Sequence, residues 1–148
     1  MNKEKAEKYY KLAKKFAELF SKDPSTKVGC IFLAPESYQV LSMGYNGMPR
    51  GVNETIPERW EKPQKYMWCE HAERNTIANA SRHGTPLQNS IAIVTMFPCA
   101  DCARLIIQSG VKTLITKKPN LGSKNWGLSF QYSSTMLEEA NISIIFID

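Results

Sequence analysis

Near its N-terminus the chain alternates apolar and charged positions with the period of an α-helix. Between Lys5 and Phe20 the apolar side chains recur at intervals of three and four residues, which predicts an amphipathic helix. Further helices are predicted at His71–His83, Cys99–Ser109 and Thr135–Ala140. Short apolar runs that are bounded by turn-forming residues predict strands. These strands lie at Val28–Leu33, Gln39–Met43, Ile91–Met96, Val111–Thr116 and Ile142–Ile147.

Glycines and a capping pattern mark the ends of several predicted helices. Gly84 and Gly110 follow the second and third helices, where a left-handed residue commonly closes a helix. The segment Thr135–Glu138 has the form of a capping box and predicts the start of the fourth helix. Two long stretches, Gly44–Lys65 and Pro119–Ser133, show no sustained period and are predicted to be loops.

The order of the predicted elements indicates the fold class. A helix and two strands come first, and helices and strands then alternate to the end, which is typical of a layered α/β domain. The first two strands are predicted to form an antiparallel pair. A helix separates the last two strands and allows a right-handed crossover, so we expect those two strands to be parallel. The whole chain, residues 1–148, is predicted to form a single domain.

The composition is that of an ordinary folded protein, with 43% hydrophobic and 22% charged residues among 148. No stretch approaches the roughly 20 apolar residues that span a bilayer. The N-terminus also has no apolar signal core, so we expect a cytoplasmic protein without a membrane partner. A net charge of +5 favours an anionic partner. Seven lysines lie in the first 22 residues, where their spacing is more typical of a solvated helix face than of a nucleic-acid-binding patch.

Residues at the predicted starts of two helices carry the candidate chemistry. Cys99 and Cys102 lie one helical turn apart, so both sulfurs can face one metal ion, and His71 begins the preceding helix. Cysteine and histidine are zinc ligands, and a catalytic zinc keeps its fourth position for water. Glu73 is predicted to lie near the ion without binding it and to transfer the proton. The small Ala72 is predicted to present its backbone N–H to a substrate base.

Other interpretations of these residues stay open on the sequence alone. Cys99 and Cys102 have the spacing of a redox pair, although redox chemistry leaves the nearby histidine unexplained. Cys69 would complete a closed, structural zinc site if a bend before the helix brought it to the metal. His83 is more simply a residue at a helix C-terminus, where the dipole favours it, than a metal ligand.

Further segments combine with the candidate metal ligands into a set of motifs. The pattern His-x-Glu followed by Pro-Cys-x-x-Cys, here at 71–73 and 98–102, is typical of zinc-dependent nucleobase deaminases. Together with the loop Gly44–Gly51, this pattern resembles the motifs of the deoxycytidylate (dCMP) deaminases, within the cytidine deaminase superfamily, and the loop is what distinguishes this family. The segments Asp23–Gly29 and Ile106–Val111 also fit, and the resemblance covers most of residues 23 to 118.

The resemblance implies a cytidine-deaminase-like three-layer α/β fold, with a five-stranded mixed sheet and helices on both of its faces. It also implies one catalytic Zn²⁺ per chain and hydrolysis of dCMP to dUMP and ammonia, a step that feeds thymidylate synthesis. In this family the asparagine that matches Asn46 contacts the sugar. The residue matching Lys27 is a candidate phosphate ligand, and Arg50 is another, because phosphate takes cationic and N–H donors.

Members of this family are often hexamers regulated by dCTP and dTTP. The resemblance therefore implies a homo-oligomer with these nucleotides as effectors. A second, structural zinc, which some members bind, is not expected, because the remaining cysteines and histidine are scattered. Three aromatic residues of the second predicted loop leave two interpretations open. Trp126, Phe130 and Tyr132 either stack on a base or pack against the sheet or a neighbouring subunit.

Alternative functions also stay open. Residue types alone do not distinguish dCMP from dCTP, and free cytidine, guanine or adenosine in transfer RNA would need the same zinc chemistry. An enzyme acting on transfer RNA would use the net charge of +5, but the loop Gly44–Gly51 argues against it, and nucleic acid is not the expected partner. A noncatalytic, zinc-stabilised binding module is the alternative of another class, and in such a module Glu73 would be dispensable.

Overall fold

The computed structural model describes the whole chain, residues 1–148, and begins with the helix that the sequence predicts. This helix, α1 (Lys3–Phe20), is capped by Asn2, whose side chain accepts a hydrogen bond from the backbone N–H of Lys5. The other helices are α2 (Lys65–Trp68), α3 (Ala72–Arg82), α4 (Ala100–Gln108) and α5 (Gly127–Glu139). None of the helices combines the length and the apolar character that crossing a membrane requires.

Five strands form one mixed sheet. The strands are β1 (Gly29–Leu33), β2 (Val40–Tyr45), β3 (Ile91–Val94), β4 (Thr113–Lys117) and β5 (Ser143–Ile147). Their order across the sheet is β2-β1-β3-β4-β5. β1 is antiparallel to both of its neighbours, whereas β3, β4 and β5 run parallel. The predicted five-stranded sheet, its first antiparallel pair and its parallel last strands are therefore confirmed.

The two faces of the sheet are covered by different helices, because side chains alternate between the faces along each strand. Ile31 and Ile93 belong to the apolar cluster that includes residues of α1. Phe32 and Val94 belong to the cluster that includes residues of α3, α4 and α5. The fold is thus a three-layer α/β sandwich, as expected. The carboxyl end of β3 and the starts of α3 and α4 are where the candidate chemistry lies.

One helix begins much earlier than the sequence indicates. α5 starts at Gly127, so the predicted loop Pro119–Ser133 is wrong over its second half and the predicted start of this helix at Thr135 is wrong. Thr135 lies inside the helix, where its hydroxyl donates to the carbonyl oxygen of Gln131. Two features of this segment explain why the sequence pattern does not indicate a helix start at Gly127. The residue before α5 makes no side-chain cap hydrogen bond, and the buried Ser133 interrupts the apolar period.

The first predicted loop, Gly44–Lys65, is also shorter than expected. β2 runs on to Tyr45, and a 3₁₀ turn occupies Pro57–Trp60. α2 then begins at Lys65. These elements are only four to six residues long, and segments of that length give too few repeats for a period to be read from the sequence.

The backbone of α1 lies directly against the sheet at Gly29. A Cβ atom added at Gly29 would lie 2.0 Å from the carbonyl oxygen of Ala13 and 3.3 Å from the Cβ atom of Ala17. Both of these alanines are fully buried in α1. The position therefore requires glycine, because the obstacle is backbone that cannot rotate away.

We expect the substitution Gly29→Ala to lower the free energy of unfolding by about 1–3 kcal/mol, the usual cost of overpacking a core. Gly122→Ala is the matched control, since the nearest atom would lie 3.5 Å from its added Cβ. The control is expected to stay within about 0.5 kcal/mol of the parent protein. Denaturant unfolding of the two variants measures the difference, and equal stabilities would contradict the close approach of α1.

Candidate metal centre and active site

Three side chains that can bind a metal converge where α3 and α4 begin. His71 is the N-cap of α3, Cys99 is the N-cap of α4, and Cys102 lies in the first turn of α4. The Nδ1 atom of His71 is 3.5 Å from the Sγ atom of Cys99 and 3.4 Å from that of Cys102. The three donor atoms lie within 4.8 Å of one another. The structure therefore brings together all three predicted ligands.

The spacing of these atoms fits a tetrahedral zinc ion. With Zn–S bonds of about 2.3 Å and Zn–N bonds of about 2.0 Å, tetrahedral angles put nitrogen and sulfur roughly 3.5 Å apart. The two observed N–S distances, 3.5 and 3.4 Å, agree with that value. Only three protein donors are present, which is the number found in catalytic zinc sites. Cys69 is not a fourth donor, because its sulfur lies against the carbonyl oxygen of Glu70.

The start of α4 favours a thiolate at Cys99, whereas the pKa of Cys102 is raised by its hydrogen bond with Cys99 and by burial. The hydrogen bond with Cys102, together with the one to His71, lowers the pKa of Cys99 to about 4, although burial opposes the shift. The N-terminal end of a helix adds a partial positive charge that stabilises anionic sulfur. Neither His71 nor Cys99 makes the side-chain hydrogen bond that normally caps a helix. The side chains of both N-cap residues are therefore free to bind a metal ion.

Glu73 lies beside the metal centre as a buried carboxyl group. It is 4% exposed in the first turn of α3 and is not one of the metal donors. Burial raises the pKa of Glu73 to about 7, so this group can both accept and release a proton near neutral pH. Ala72, between Glu73 and the histidine, is fully buried and lines the same cavity. The site therefore pairs a metal centre with an acid–base group.

A cavity of about 290 Å³ opens onto this centre. One of its walls is aromatic. The ring of Trp126 meets the imidazole of His71 edge to face at 5.7 Å and the ring of Tyr66 at 5.8 Å. Phe130 packs on Phe97, and both line the cavity as well. An aromatic wall beside a metal centre suits a flat heterocycle.

Another part of the cavity lining is polar and includes Asn46, which the resemblance singled out. We call the part formed by Asn46, Asp23 and Lys65 the polar wall. The Oδ1 atom of Asn46 accepts hydrogen bonds from the backbone N–H of Val28 and the hydroxyl of Ser21. Its Nδ2 atom donates to the carbonyl oxygen of Thr26 and to Asp23. A side-chain amide has two N–H donors, so the protein itself uses both of those of Asn46.

Asp23 and Lys65 form a buried ion pair in the same polar wall. The Nζ atom of Lys65 is 2.8 Å from Oδ2 of Asp23, and the two residues are 7% and 1% exposed. Burial acts to raise the pKa of Asp23, but hydrogen bonds from Lys65, Ser25 and Thr26 keep it below its ordinary value. This pair was not predicted from the sequence. Asp23 accepts hydrogen bonds from the backbone N–H groups two and three residues further on, and an aspartate in this position is a turn signal that the sequence can show. No feature of the neighbouring sequence indicates the role of Lys65.

Three of the predicted substrate-binding residues lie outside the cavity. Lys27 is exposed, and its ammonium group donates to the carbonyl oxygen of Glu18. Arg50 is also exposed, and its guanidinium group donates to the side chain of Asn79. Tyr132 is 62% exposed on α5. The structure therefore does not bring these three side chains to the metal centre, in contrast to the aromatic residues of the cavity wall.

His83, the other histidine of the chain, is a helix C-terminal residue and not a metal ligand. It is the C-cap of α3, it is exposed, and it belongs to no group of metal donors. The prediction that it stands at a helix C-terminus is confirmed.

Comparisons with known proteins agree with this geometry. A family model described as the cytidine and deoxycytidylate deaminase zinc-binding region matches residues 3–118. A probable deoxycytidylate deaminase of Caenorhabditis elegans is 36% identical over 142 residues, which are 93% of this chain and 67% of the relative. An uncharacterized deaminase of Aliivibrio fischeri is 35% identical over 144 residues, with 93% of this chain and 94% of the relative covered.

A shorter match and a solved structure add to these relatives. The human deoxycytidylate deaminase is 37% identical over 101 residues, which cover 64% of this chain and 54% of that protein. The crystal structure of the dCMP deaminase of cyanophage S-TIM5, in complex with dCMP and dUMP, superposes with a TM-score of 0.79. That structure covers 99% of both chains at 23% identity, so it shows a common fold.

Proposed function

Since the chain belongs to the family of zinc-binding cytidine and deoxycytidylate deaminases, we propose that it hydrolyses dCMP to dUMP and ammonia. The observation that carries this proposal is the buried Glu73 beside a His–Cys–Cys centre at the end of an aromatic cavity. The relatives from Caenorhabditis elegans and human are named as deoxycytidylate deaminases, and the phage enzyme of the same fold was solved with dCMP and dUMP. We assign the metal centre to His71, Cys99 and Cys102.

The residues around the centre support hydrolysis at the amino-bearing carbon of cytosine. When bound, zinc supplies a position at which water loses a proton near neutral pH. In this proposal Glu73 takes the two protons of the attacking water in turn and passes one to the ring nitrogen and the other to the departing amine. The carbon–nitrogen bond breaks, a carbon–oxygen bond forms, and ammonia leaves. Trp126 and Phe130 hold the base by contact with its faces and edges, and Ala72 offers its backbone N–H.

We also propose that the protein forms a homo-oligomer in the cytoplasm. Large apolar side chains are exposed on the outer helices, with Leu105 on α4 and Leu128 and Tyr132 on α5, and such side chains are common where subunits meet. All four cysteines are free thiols, which suits a reducing compartment. Regulation by dCTP and dTTP is a further proposal, and it rests on the family resemblance.

A panel of four substrates tests the proposed reaction. Zinc-loaded protein is incubated separately with dCMP, dCTP, deoxycytidine and CMP, and the uracil products are separated by chromatography. We expect dCMP to be the best substrate, as judged by kcat/KM. A higher kcat/KM for dCTP would reassign the substrate within the family. Absence of turnover on all four, with zinc bound and the fold intact, would contradict the proposed function and favour another base, such as adenosine in transfer RNA.

A further inference from the structure

The polar wall of the cavity contains one hydrogen-bond donor that the protein leaves unused. Both N–H donors of Asn46 are used inside the protein, by Thr26 and Asp23. Asp23 accepts five hydrogen bonds, from Ser25 twice and once each from Thr26, Asn46 and Lys65. Five donors fill the roughly four acceptor positions of a carboxylate. Neither side chain therefore has a free N–H or O–H donor to offer to a ligand.

Lys65 differs from both of them. Its ammonium group has three N–H donors. Two of these donors reach Asp23 and the hydroxyl of Ser25, each at 2.8 Å, and the third has no acceptor in the protein. Lys65 is 7% exposed, and it lines the cavity. A buried donor is normally satisfied, so an unused one on a cavity wall indicates an acceptor on the ligand.

The position of Lys65 indicates which half of a nucleotide it meets. No hydrogen bond joins the group of Lys65, Asp23 and Asn46 to His71, Glu73 and Cys99, although both groups line one cavity. A ligand that fills the cavity therefore needs polar groups at two separate places. The cytosine ring must lie at the metal centre, and the oxygens of the sugar and phosphate are left for the second group.

We propose that Lys65 is a substrate-binding residue that donates a charge-assisted hydrogen bond to an oxygen of the sugar–phosphate half of the nucleotide. This inference rests on the proposed function, because it assumes that the cytosine occupies the metal end of the cavity. Asp23 acts as a positioning residue that fixes the ammonium group, and Asn46 fixes Asp23 in turn. The acceptor is an oxygen either of the deoxyribose hydroxyl or of the phosphate.

The test compares substrates that lack one of these oxygens. Deoxycytidine lacks the phosphate, and 2′,3′-dideoxycytidine monophosphate lacks the sugar hydroxyl. For each protein we would measure the ratio of kcat/KM for dCMP to kcat/KM for each analogue. In Lys65→Met we expect one of the two ratios to fall by about tenfold or more, since a hydrogen bond to a charged group is lost. The ratio that falls identifies the acceptor.

Two further variants keep the test decisive. Lys8→Met is the matched control, because Lys8 is an exposed lysine paired with Glu4, and both ratios should equal those of the parent protein. If Lys65→Met does not fold, Lys65→Gln takes its place, since its uncharged amide can still donate to Asp23. A purely structural role would lower the activity on all three substrates by the same factor. Unchanged ratios in the folded variant would overturn the proposal.

Equilibrium binding separates a failure of this inference from a failure of the proposed function. Calorimetric titration of dCMP and the two analogues into the zinc-loaded Glu73→Gln protein, which is expected to bind substrate with little turnover, gives the same ratios from dissociation constants, with and without Lys65→Met. If the parent protein binds dCMP without turnover, the proposed reaction fails and the Lys65 comparison still stands. If dCMP neither binds nor reacts, both proposals are overturned.

Discussion

Replacing Glu73 with glutamine is expected to reduce turnover of dCMP by about 10²–10⁴-fold, the usual contribution of general acid–base catalysis. Glutamine has nearly the same shape but cannot carry a proton between the attacking water and the leaving amine. The zinc content should stay unchanged, because Glu73 is not one of the metal donors. The fold should also tolerate the change, since a group that is 4% exposed becomes uncharged.

The measurement combines kcat on dCMP with zinc content by mass spectrometry. Glu36→Gln is the matched control, because Glu36 is exposed in a turn between β1 and β2, and it should keep parental activity. Full activity of the Glu73→Gln protein would show that another group moves the proton. That result would also contradict the role that we assign to Glu73 as the acid–base group.

Replacing Cys102 with alanine is expected to remove most of the bound zinc and, with it, the activity. Cys102 is fully buried, and its sulfur is one of only three protein donors. Loss of an outer partner of a metal ligand already costs about 10–100-fold in affinity or activity, so loss of a ligand should cost more. Zinc that binds only the native state also stabilises it, so the rise in Tm on adding zinc should disappear in this variant.

Cys69→Ser is the control for this second prediction. Cys69 also lines the cavity, but its sulfur is not one of the metal donors. The serine variant should therefore keep its zinc and its zinc-dependent rise in Tm, whatever its activity. Loss of zinc from Cys69→Ser would show that the site is closed by a fourth protein ligand. Retention of zinc by Cys102→Ala would contradict the assignment of the metal centre.

The metal centre could be predicted because its signals are local. Two cysteines three residues apart at a helix start share one face of that helix. The His-x-Glu pattern at the start of the preceding helix supplies the third ligand. The sheet could be predicted for a similar reason, since its strands are short apolar runs between clear turns. In both cases a few adjacent residues determine the geometry.

The polar wall could not be predicted, because it is made by contacts between distant parts of the chain. Lys65 and Asp23 are 42 residues apart, and Lys65 lies in a segment without a period. The start of α5 was missed because a buried serine stands where the pattern calls for an apolar side chain. Lys27 and Arg50 were predicted to bind the substrate, but both are exposed and lie outside the cavity. A basic residue near a motif does not indicate where its side chain points.

The uncapped starts of α3 and α4 limit how far this protein can be stabilised by engineering. Serine, threonine, aspartate or asparagine at an N-cap adds about 0.5–2 kcal/mol over alanine, and helix caps are a common target of stabilising substitutions. Here both positions belong to metal ligands, so a better cap at His71 or Cys99 would remove the chemistry. Because bound zinc also stabilises the native state, such a substitution would lower heat resistance together with activity. Directed evolution for a more stable enzyme should find its gains elsewhere in the chain.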